Sequence, residues 1–549
     1  MGKSLVKKYF VWSLIGLAVS YGFILVNVFG LFPLGKVSFF IFLTAIFFFC
    51  FFRPREMFWI FVVTLPFENI IISPEMIPFS VRPFQAVGGL LFLAVVILWL
   101  LKKLDFQLLS LKKICIVCQI TNREACQKIP PKKAFNFFDR FVFLLPIFGL
   151  IAIFNALNRD ISIKQTLVLI SFVLLYWLAR NFLQNRKKIY EVLWFFVIGS
   201  EAVILLGLYQ AFAQKFGWPA FEVMSGRINS TFSEPDWFGV YLVFLLAIIL
   251  LLRLVFQNSR NNTMITSWKF SQISQIFLNV YFFFVFLCLF LTVSRSAWLG
   301  FSVILFLYYF FQFFSYKFPI GDYQLRYRRI LADISITASL LALVIFFAIS
   351  TNLSSFHIAN RAVSTFSGMQ KITVSCLAGS FLPEKINSLE QLSQYNCKHI
   401  DLEEIEKEKE SGFEIREIYR PDPNVEIRKN IYQTILGEIK KHPILGQGLG
   451  SSGVILGQDE RGMGLNTSNI FLESFFSLGI IGLLIILFLF FYPLYFCGKN
   501  IFSKIGKERD LFVVLLILAF LIPNFFNAGL FLGFLWIFWS TLPVLLERE

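Results

Sequence analysis

The sequence is poor in charge and in histidine. Charged residues make up only 15% of the chain. Its three histidines, His357, His399 and His442, do not have the spacing of a metal site. No strand-like alternation of polar and apolar residues is present, so an outer-membrane barrel is not indicated. No small-residue cleavage site follows the first apolar segment, and we expect that segment to be retained as a membrane anchor.

Apolar residues dominate the composition of the chain. Hydrophobic residues make up 57% of the 549 residues, with 72 phenylalanines. Since a helix needs about 20 apolar residues to cross a bilayer, we predict an all-α polytopic membrane protein with about 12–14 transmembrane helices. One large extracytoplasmic loop containing short helices interrupts them. The predicted spans are 9–31, 37–52, 57–73, 84–101, 141–156, 164–182, 190–213, 236–254, 275–293, 296–315, 330–350, 469–497, 511–526 and 530–546.

The hydropathy divides the chain into four parts. They are an N-terminal transmembrane bundle (1–189), a transmembrane bundle with external motif turns (190–350), the extracytoplasmic loop (351–468) and C-terminal transmembrane helices (469–549). No internal repeat of the kind common in transporters is visible.

Basic residues account for the net charge of +16, and their placement indicates topology. They cluster in every second connection, for example at Lys102–Lys103 and at Arg186–Lys188. The positive-inside rule makes those connections cytoplasmic. We therefore expect a multi-pass protein of the cytoplasmic (inner) membrane with both termini inside and residues 351–468 outside. Nucleic-acid binding is not favoured.

Five of the eight cysteines fall into two groups, one that could bind a metal and one that could form a disulfide. Cys115, Cys118 and Cys126 supply three soft ligands, one short of a structural zinc site, and reduced thiols are the favoured interpretation. Cys376 and Cys397 are the only two in the external loop. An oxidising compartment would let them close a ring, and such a disulfide is worth about 3 kcal/mol.

The external loop has four recognisable segments. Residues 351–400 are mixed in character, and residues 401–418 are a charge run that predicts an exposed helix interrupted near Gly412. Apolar residues at helical spacing over 425–441 predict an amphipathic helix on the membrane surface. A glycine-rich segment, ILGQGLGSSG, then follows His442-Pro443, and such a segment can bring backbone N–H groups close to a ligand.

Polar groups on the external side define a candidate site at membrane level. One turn carries Arg227, Glu234 and Asp236, a second carries Arg295, and Arg428 precedes the glycine-rich segment. Asn466–Asn469 forms the fourth group. Arginine binds phosphate oxygens through two donors and stays charged, so a lipid-linked pyrophosphate is a fitting ligand.

Plainer interpretations remain open for several of these residues. Arg227 could be an interfacial anchor, and Glu234 and Asp236 could merely cap the helix that follows. Arg295 lies where external ends of spans do not favour arginine, so a topological role alone explains it less well. Glu201, in the middle of a span, could be an interior carboxyl or a proton site.

Four segments resemble, in order and spacing, the motifs of the O-antigen ligase/polymerase (Wzy-C) superfamily. They cover about residues 190–500. The segments are STFSEPDWFG, SRSAWLG, IRKNIYQTILGEIKKHPILGQGLG and NIFLESFFSLGIIGLL.

The resemblance implies an inverting, metal-independent glycosyltransferase of the GT-C kind with no cofactor. Its donor would be a glycan on undecaprenyl pyrophosphate, and its acceptor another glycan, a lipid or a protein hydroxyl, within membrane lipid. By position, Arg295 and Arg428 match arginines that engage the donor pyrophosphate. We add Arg227, Gly448 and Gly450 as candidates for the same role.

One departure concerns the acceptor. The family frequently has a histidine before asparagine, where this chain has Ser468 before Asn469. Serine is not a general base at neutral pH. Either Glu234, Asp236 or Glu473 deprotonates the acceptor, or Ser468 only positions it. Ligase, chain polymerase and protein O-oligosaccharyltransferase therefore remain open.

Two other classes compete with a transferase. A transporter or flippase of lipid-linked saccharides would need polar residues along a transmembrane path, whereas here they concentrate at one face. A receptor or scaffold would tolerate loss of the arginines but not of the loop's exposed helix.

Overall fold

The protein is described from a computed structural model. The structure describes residues 3–77, 80–104, 136–224, 226–258, 273–314, 323–351, 353, 368–400, 405–458, 464–502 and 508–547. The chain divides into two compact units, one formed by Met1–Phe346 with Glu438–Glu549 and the other by Phe347–Gly437. The predicted loop, 351–468, is longer than the second unit. Cys115, Cys118 and Cys126 lie outside the described residues.

The first unit consists mainly of α-helices. In chain order they are α1 (Lys3–Val28), α2 (Lys36–Phe52), α3 (Pro54–Thr64), α4 (Pro83–Leu100), α5 (Phe137–Ala152), α6 (Arg159–Phe182), α7 (Arg186–Phe216), α8 (Pro235–Asn258), α9 (Ile273–Leu291), α10 (Arg295–Phe314) and α11 (Tyr323–Ser350). After the second unit come α14 (Ser452–Leu456), α15 (Ile470–Phe502), α16 (Glu508–Asn524) and α17 (Gly533–Leu546).

The prediction of a helical, multi-pass membrane protein is confirmed. Among the described residues, nine helices are long and apolar enough to cross a membrane, and three shorter apolar helices accompany them. The number of spans, predicted as about 12–14, therefore stands at nine by length and composition among the described residues. The helix α16 packs along α8, α10 and α15 and so lies at the centre of the motif-bearing helices.

The predicted span 57–73 is wrong. The helix α3 has only 11 residues and ends at Thr64, just before Pro66. Its Phe61, Val62 and Val63 are completely buried. The segment is therefore apolar because protein surrounds it, and its length is too short for a crossing.

The second unit contains a small sheet that the sequence did not predict. Its strands are β1 (Met369–Cys376), β2 (Cys397–His399) and β3 (Glu414–Pro421), all antiparallel in the order β2-β1-β3. The helices of this unit are α12 (Ile405–Glu410) and α13 (Pro423–Ile439), the latter extending into the first unit.

The helix predicted over 401–418 is correct only for its first half. After α12 the chain turns at Gly412, whose φ is +83°, and continues as β3. Ile418 pairs with Ile372 of β1, and both are buried in the small core. Pairing with β1 therefore overrides the helical preference of the charge run.

Hydrogen bonds from Lys398 and Ser375 hold the pKa of the Glu408 carboxyl, on α12, below its usual range.

Cys376 and Cys397 lie opposite each other on β1 and β2, and their sulfur atoms are 1.99 Å apart. They are separated by 21 residues. We expect Cys376→Ser to destabilise the second unit by about 3 kcal/mol, because the open chain regains loop entropy. Limited proteolysis of the full-length protein should then cut within 368–422 at a higher rate.

The matched controls are Cys397→Ser and the double variant. Because all three break the same bond, they should be equally sensitive to the protease. Equal resistance of the wild type and Cys376→Ser would show that the disulfide does not stabilise this unit.

Candidate functional site

One buried glutamine of α7 binds the backbone of the turn between α7 and α8. Gln210 Oε1 accepts hydrogen bonds from the backbone N–H of Asn229 at 3.1 Å and of Ser230 at 2.7 Å. Ser230 has a φ of +49°, a conformation that few non-glycine residues adopt. The two hydrogen bonds help to keep this strained turn in one shape, which fixes the place of Arg227. The sequence showed no reason to select Gln210.

The side chain of Arg227 forms an ion pair and a hydrogen bond within the protein. Its Nη2 lies 3.2 Å from Asp236 Oδ1, and its Nε donates to the backbone oxygen of Thr292 at 2.9 Å. The Arg227 side chain is only 11% exposed, whereas that of Asp236 is 31% exposed. These contacts favour a role inside the site over that of a simple interfacial anchor.

A second strained turn, between α9 and α10, meets the first. Val293 has a φ of +53°, a genuine outlier for a β-branched residue. The next residue, Ser294, is fully buried and donates its hydroxyl to Asp236 Oδ1 at 2.5 Å. Asp236 therefore accepts from both turns. Strained backbone that surrounding contacts stabilise is common at functional sites.

The helices behind these turns are in close contact. A Cβ on Gly239 would lie 2.8 Å from the Cβ of Ala297, so glycine is needed where α8 crosses α10. This contact places the first turn of α8 beside the first turn of α10. Arg295, half-buried, is the first residue of α10 and directly follows Ser294. The structure therefore brings Arg227 and Asp236 to the turn that carries Arg295.

Glu234 and Asp236 lie at the N-terminus of α8. The backbone oxygen of Glu234 accepts the N–H of Phe238 at 3.2 Å, and Asp236 is in the first helical turn. Both positions suit a negative charge near a helix N-terminus. Capping and a functional role are compatible for Asp236, because its carboxylate also joins the two turns.

Asn469 is a helix cap. Its Oδ1 accepts from the backbone N–H of Phe471 and Leu472, both at 3.0 Å, at the start of α15. Its Nδ2 donates to the backbone oxygen of Phe525 at 3.0 Å. The preceding Ser468 has a φ of +53°, so each of the three motif turns contains a strained non-glycine residue.

Glu473 holds neighbouring segments together. Its Oε1 accepts from the hydroxyls of Ser452 at 3.0 Å and Ser477 at 3.1 Å. Its Oε2 accepts the backbone N–H of Thr467 at 3.1 Å. Because both oxygens take part in these bonds, the geometry favours a supporting role for this carboxylate.

The glycine-rich segment packs against α6 and α15. A Cβ on Gly448 would lie 2.6 Å from Ser162 Oγ, and one on Gly450 would lie 2.8 Å from Ile161 Cγ2. Both glycines have positive φ, +84° and +80°. The Gly448 N–H donates to the backbone oxygen of Ser477 at 3.0 Å. These glycines thus permit a close approach of backbones, and their role towards a donor stays a prediction.

Arg428 lies on α13, within the unit Phe347–Gly437, and is half-buried. The helix predicted over 425–441 is confirmed as α13. The role of Arg428 towards a donor stays a prediction, as does the position of α13 on a membrane surface.

An apolar groove begins one turn after Arg295. It has a volume of about 750 Å³ and is formed by α9, α10 and α11. Residues of α10 at helical spacing line it along the whole helix, and representative ones are Trp298, Ser302, Phe306, Tyr309 and Phe313. The sequence contained no signal for the groove, because a membrane-spanning helix can be apolar on every face.

A buried ion pair braces the helices of this groove. Arg253 of α8 lies 2.5 Å from Asp333 of α11, and both are almost fully buried. The hydroxyl oxygen of Tyr309, which lines the groove, lies 3.2 Å from Asp333 Oδ2 and 2.7 Å from Thr337 Oγ1. The sequence offered a signal here, since two charges inside predicted spans imply a partner for each.

The fold and these turns define a multi-pass membrane protein with charged side chains gathered at one end of its helices. Residues 280–487 match the family described as O-antigen ligase (Wzy_C). The match confirms, for that region, the resemblance that the motifs indicate, and it supports the O-antigen ligase/Wzy-C superfamily. It includes Arg295, Arg428, Ser468 and Asn469, whereas Arg227 and Asp236 precede it. No curated protein matches the chain.

Proposed function

We propose that this protein transfers a glycan from a polyprenyl pyrophosphate to an acceptor on the extracytoplasmic face of the cytoplasmic membrane. The observation that supports this most is the junction of the charged turns with the groove. Arg295 begins α10, and Trp298, one turn later, begins the line of residues along the groove. A lipid-linked pyrophosphate has the matching shape, a charged head followed by a long apolar chain.

The reaction we propose is a single displacement without a metal. The acceptor oxygen attacks the anomeric carbon while the bond from that carbon to the pyrophosphate oxygen breaks, which inverts the configuration. Negative charge grows on the leaving pyrophosphate. Arg295, with Arg227 and Arg428, would stabilise that charge, because fixed cations in a poorly solvated site favour a transition state that gains charge.

The acceptor proton goes to a carboxylate in this scheme, and Asp236 is the better candidate by geometry. Its side chain is 31% exposed, and it lies where the turn of Arg227 meets the turn of Ser294, directly before Arg295. Glu473 is less suitable because both of its oxygens hold neighbouring segments. Ser468 would position the acceptor, and Glu234 is the second candidate base.

The groove makes a direct test possible with farnesyl pyrophosphate, a short polyprenyl pyrophosphate. We expect Ser302→Trp to weaken its binding to the purified protein about tenfold, since a loss of about 1.4 kcal/mol corresponds to that factor. The large side chain would fill the groove in which we place the tail. Affinity can be measured by microscale thermophoresis in detergent.

Leu343→Trp is the matched control, because Leu343 is 52% exposed on α11 and does not line the groove. It should bind farnesyl pyrophosphate as the wild type does. Unchanged affinity in Ser302→Trp would reject the groove as the tail site. If the wild type bound farnesol as tightly as farnesyl pyrophosphate, the proposed donor class itself would be wrong.

A further inference from the structure

Residues 523–529 contact the helix that Arg295 begins. They comprise the last two residues of α16 and the first five of the connection to α17, and we call them the 523–529 turn. Pro523 packs against α10, since a Cβ on Gly300 would lie 2.9 Å from Pro523 Cγ. Asn527 Nδ2 lies 3.4 Å from Ser296 Oγ and donates to the backbone oxygen of Pro523 at 2.9 Å. This turn is outside the matched region 280–487 and contains none of the residues that the sequence selected.

The same turn reaches the two other motif segments. The ring of Trp237 would lie 3.0 Å from a Cβ on Gly529. The backbone oxygen of Phe525 accepts from Asn469 Nδ2 at 3.0 Å. The turn therefore contacts the immediate neighbours of Arg295, Asp236 and Ser468.

Hydrogen bonds within the turn give it a definite shape. Buried Asn524 accepts the N–H of Gly529 at 2.7 Å through Oδ1 and donates to the backbone oxygen of Phe520 at 2.8 Å through Nδ2. Because its shape is fixed, this segment can hold the groups that it contacts in fixed positions.

Asn527 also ends a chain of polar contacts around Arg295. Ser296 Oγ lies 3.4 Å from Asn527 Nδ2 and 3.4 Å from Ser294 Oγ. Ser294 Oγ lies 2.5 Å from Asp236 Oδ1, which also receives Arg227. The two serines are the residues on either side of Arg295.

The carboxylate at one end determines the direction of every bond in this chain. Asp236 only accepts, so Ser294 must use its single O–H towards it. Ser296 must then donate its O–H to Ser294, and its oxygen is left to accept from an N–H. The amide of Asn527 supplies that N–H at 3.4 Å.

We propose that Asn527 is a positioning residue for Arg295, acting through Ser296 and Ser294. This inference rests on the proposed function, in which Arg295 contacts the donor pyrophosphate. Asn527 provides the donor that keeps both serine hydroxyls pointed towards Asp236. The main-chain segment between those serines, which carries Arg295, is thereby held in one orientation.

The test compares variants that delete or reverse the last bond, with farnesyl pyrophosphate as the probe. Asn527→Ala removes the donor, and we expect its affinity to fall about fivefold, as for loss of one typical hydrogen bond. Asn527→Asp has the same shape but only accepts, so Ser296 would turn its O–H away from Ser294. We expect a fall of about tenfold or more in that variant. Farnesol binding should not change in either.

The double variants decide whether the effect passes through Ser296. In a Ser296→Ala background, adding Asn527→Ala should cause no further loss, because coupled residues are not additive. Asn500→Ala is the control, since Asn500 donates to Asp510 at the opposite end of α15. It should bind the probe as the wild type does.

Each outcome bears on the inference. Wild-type affinity in Asn527→Asp, or an equal loss from Asn527→Ala with and without Ser296, would overturn it while leaving the proposed function intact. A wild type that does not prefer farnesyl pyrophosphate over farnesol would overturn both. If Asn527→Asp does not purify as a folded protein, the comparison of Asn527→Ala with Ser296→Ala decides alone.

Discussion

Replacing Arg295 by alanine is expected to lower glycan transfer at least about 100-fold, the usual scale for losing a group that stabilises charge in the transition state. Arg295 is half-buried at the start of α10, next to the serine that donates to Asp236. Its loss would remove a fixed cation from the leaving pyrophosphate. The measurement is the amount and length of surface glycan in cells that carry only the variant, with the membrane-inserted protein quantified by immunoblot.

Two further substitutions sharpen this result. Arg295→Lys keeps the charge but loses the planar fork of donors, so we expect intermediate transfer. Arg428→Ala should abolish transfer as Arg295→Ala does if both arginines engage the donor. Arg416→Ala is the control, because Arg416 contacts Ser380 and Glu414 within the sheet-containing unit. Normal glycan in both Arg295→Ala and Arg428→Ala would reject the transferase proposal.

The long helices were predictable because their apolar runs are long enough to be identified without tertiary information. The error at 57–73 has a physical cause. A segment buried in protein is as apolar as one that crosses the lipid, so composition cannot distinguish them. The early end of the helix at Thr64 does distinguish them. The β-sheet was missed for a related reason, since β3 depends on its pairing with β1, which lies far away in the sequence.

The motif turns could be selected from the sequence, but their connections could not. Arg227 and Asp236 stood out as charged residues in an apolar chain. Gln210 did not, because a polar residue in a span is recognisable as important only when its partner is known. Asp236 is held in part by Ser294, which is 58 residues away in the sequence, and no local pattern encodes that contact.

Replacing Gly479 by alanine is expected to prevent the protein from folding. Gly479 lies inside α15 with φ +69° and ψ −171°, a region of backbone space that is essentially restricted to glycine. A Cβ there would lie 2.0 Å from the backbone oxygen of Ile444. The clash would push the Ile444 backbone away from α15. It would thereby break the hydrogen bond of 2.9 Å from the Ile480 N–H to the backbone oxygen of Pro443.

We expect a loss of about 1–3 kcal/mol from the strain alone, with the clash added to it. Size-exclusion chromatography of a fluorescent fusion should then show aggregate in place of a single symmetric peak. Gly498→Ala, in the same helix, is the control, because a Cβ there would meet nothing within 4 Å. Alanine favours a helix over glycine by about 1 kcal/mol, so that variant should be at least as stable as the wild type. A symmetric peak for Gly479→Ala would mean that α15 can straighten, and that the close approach of the glycine-rich segment is not required for the fold.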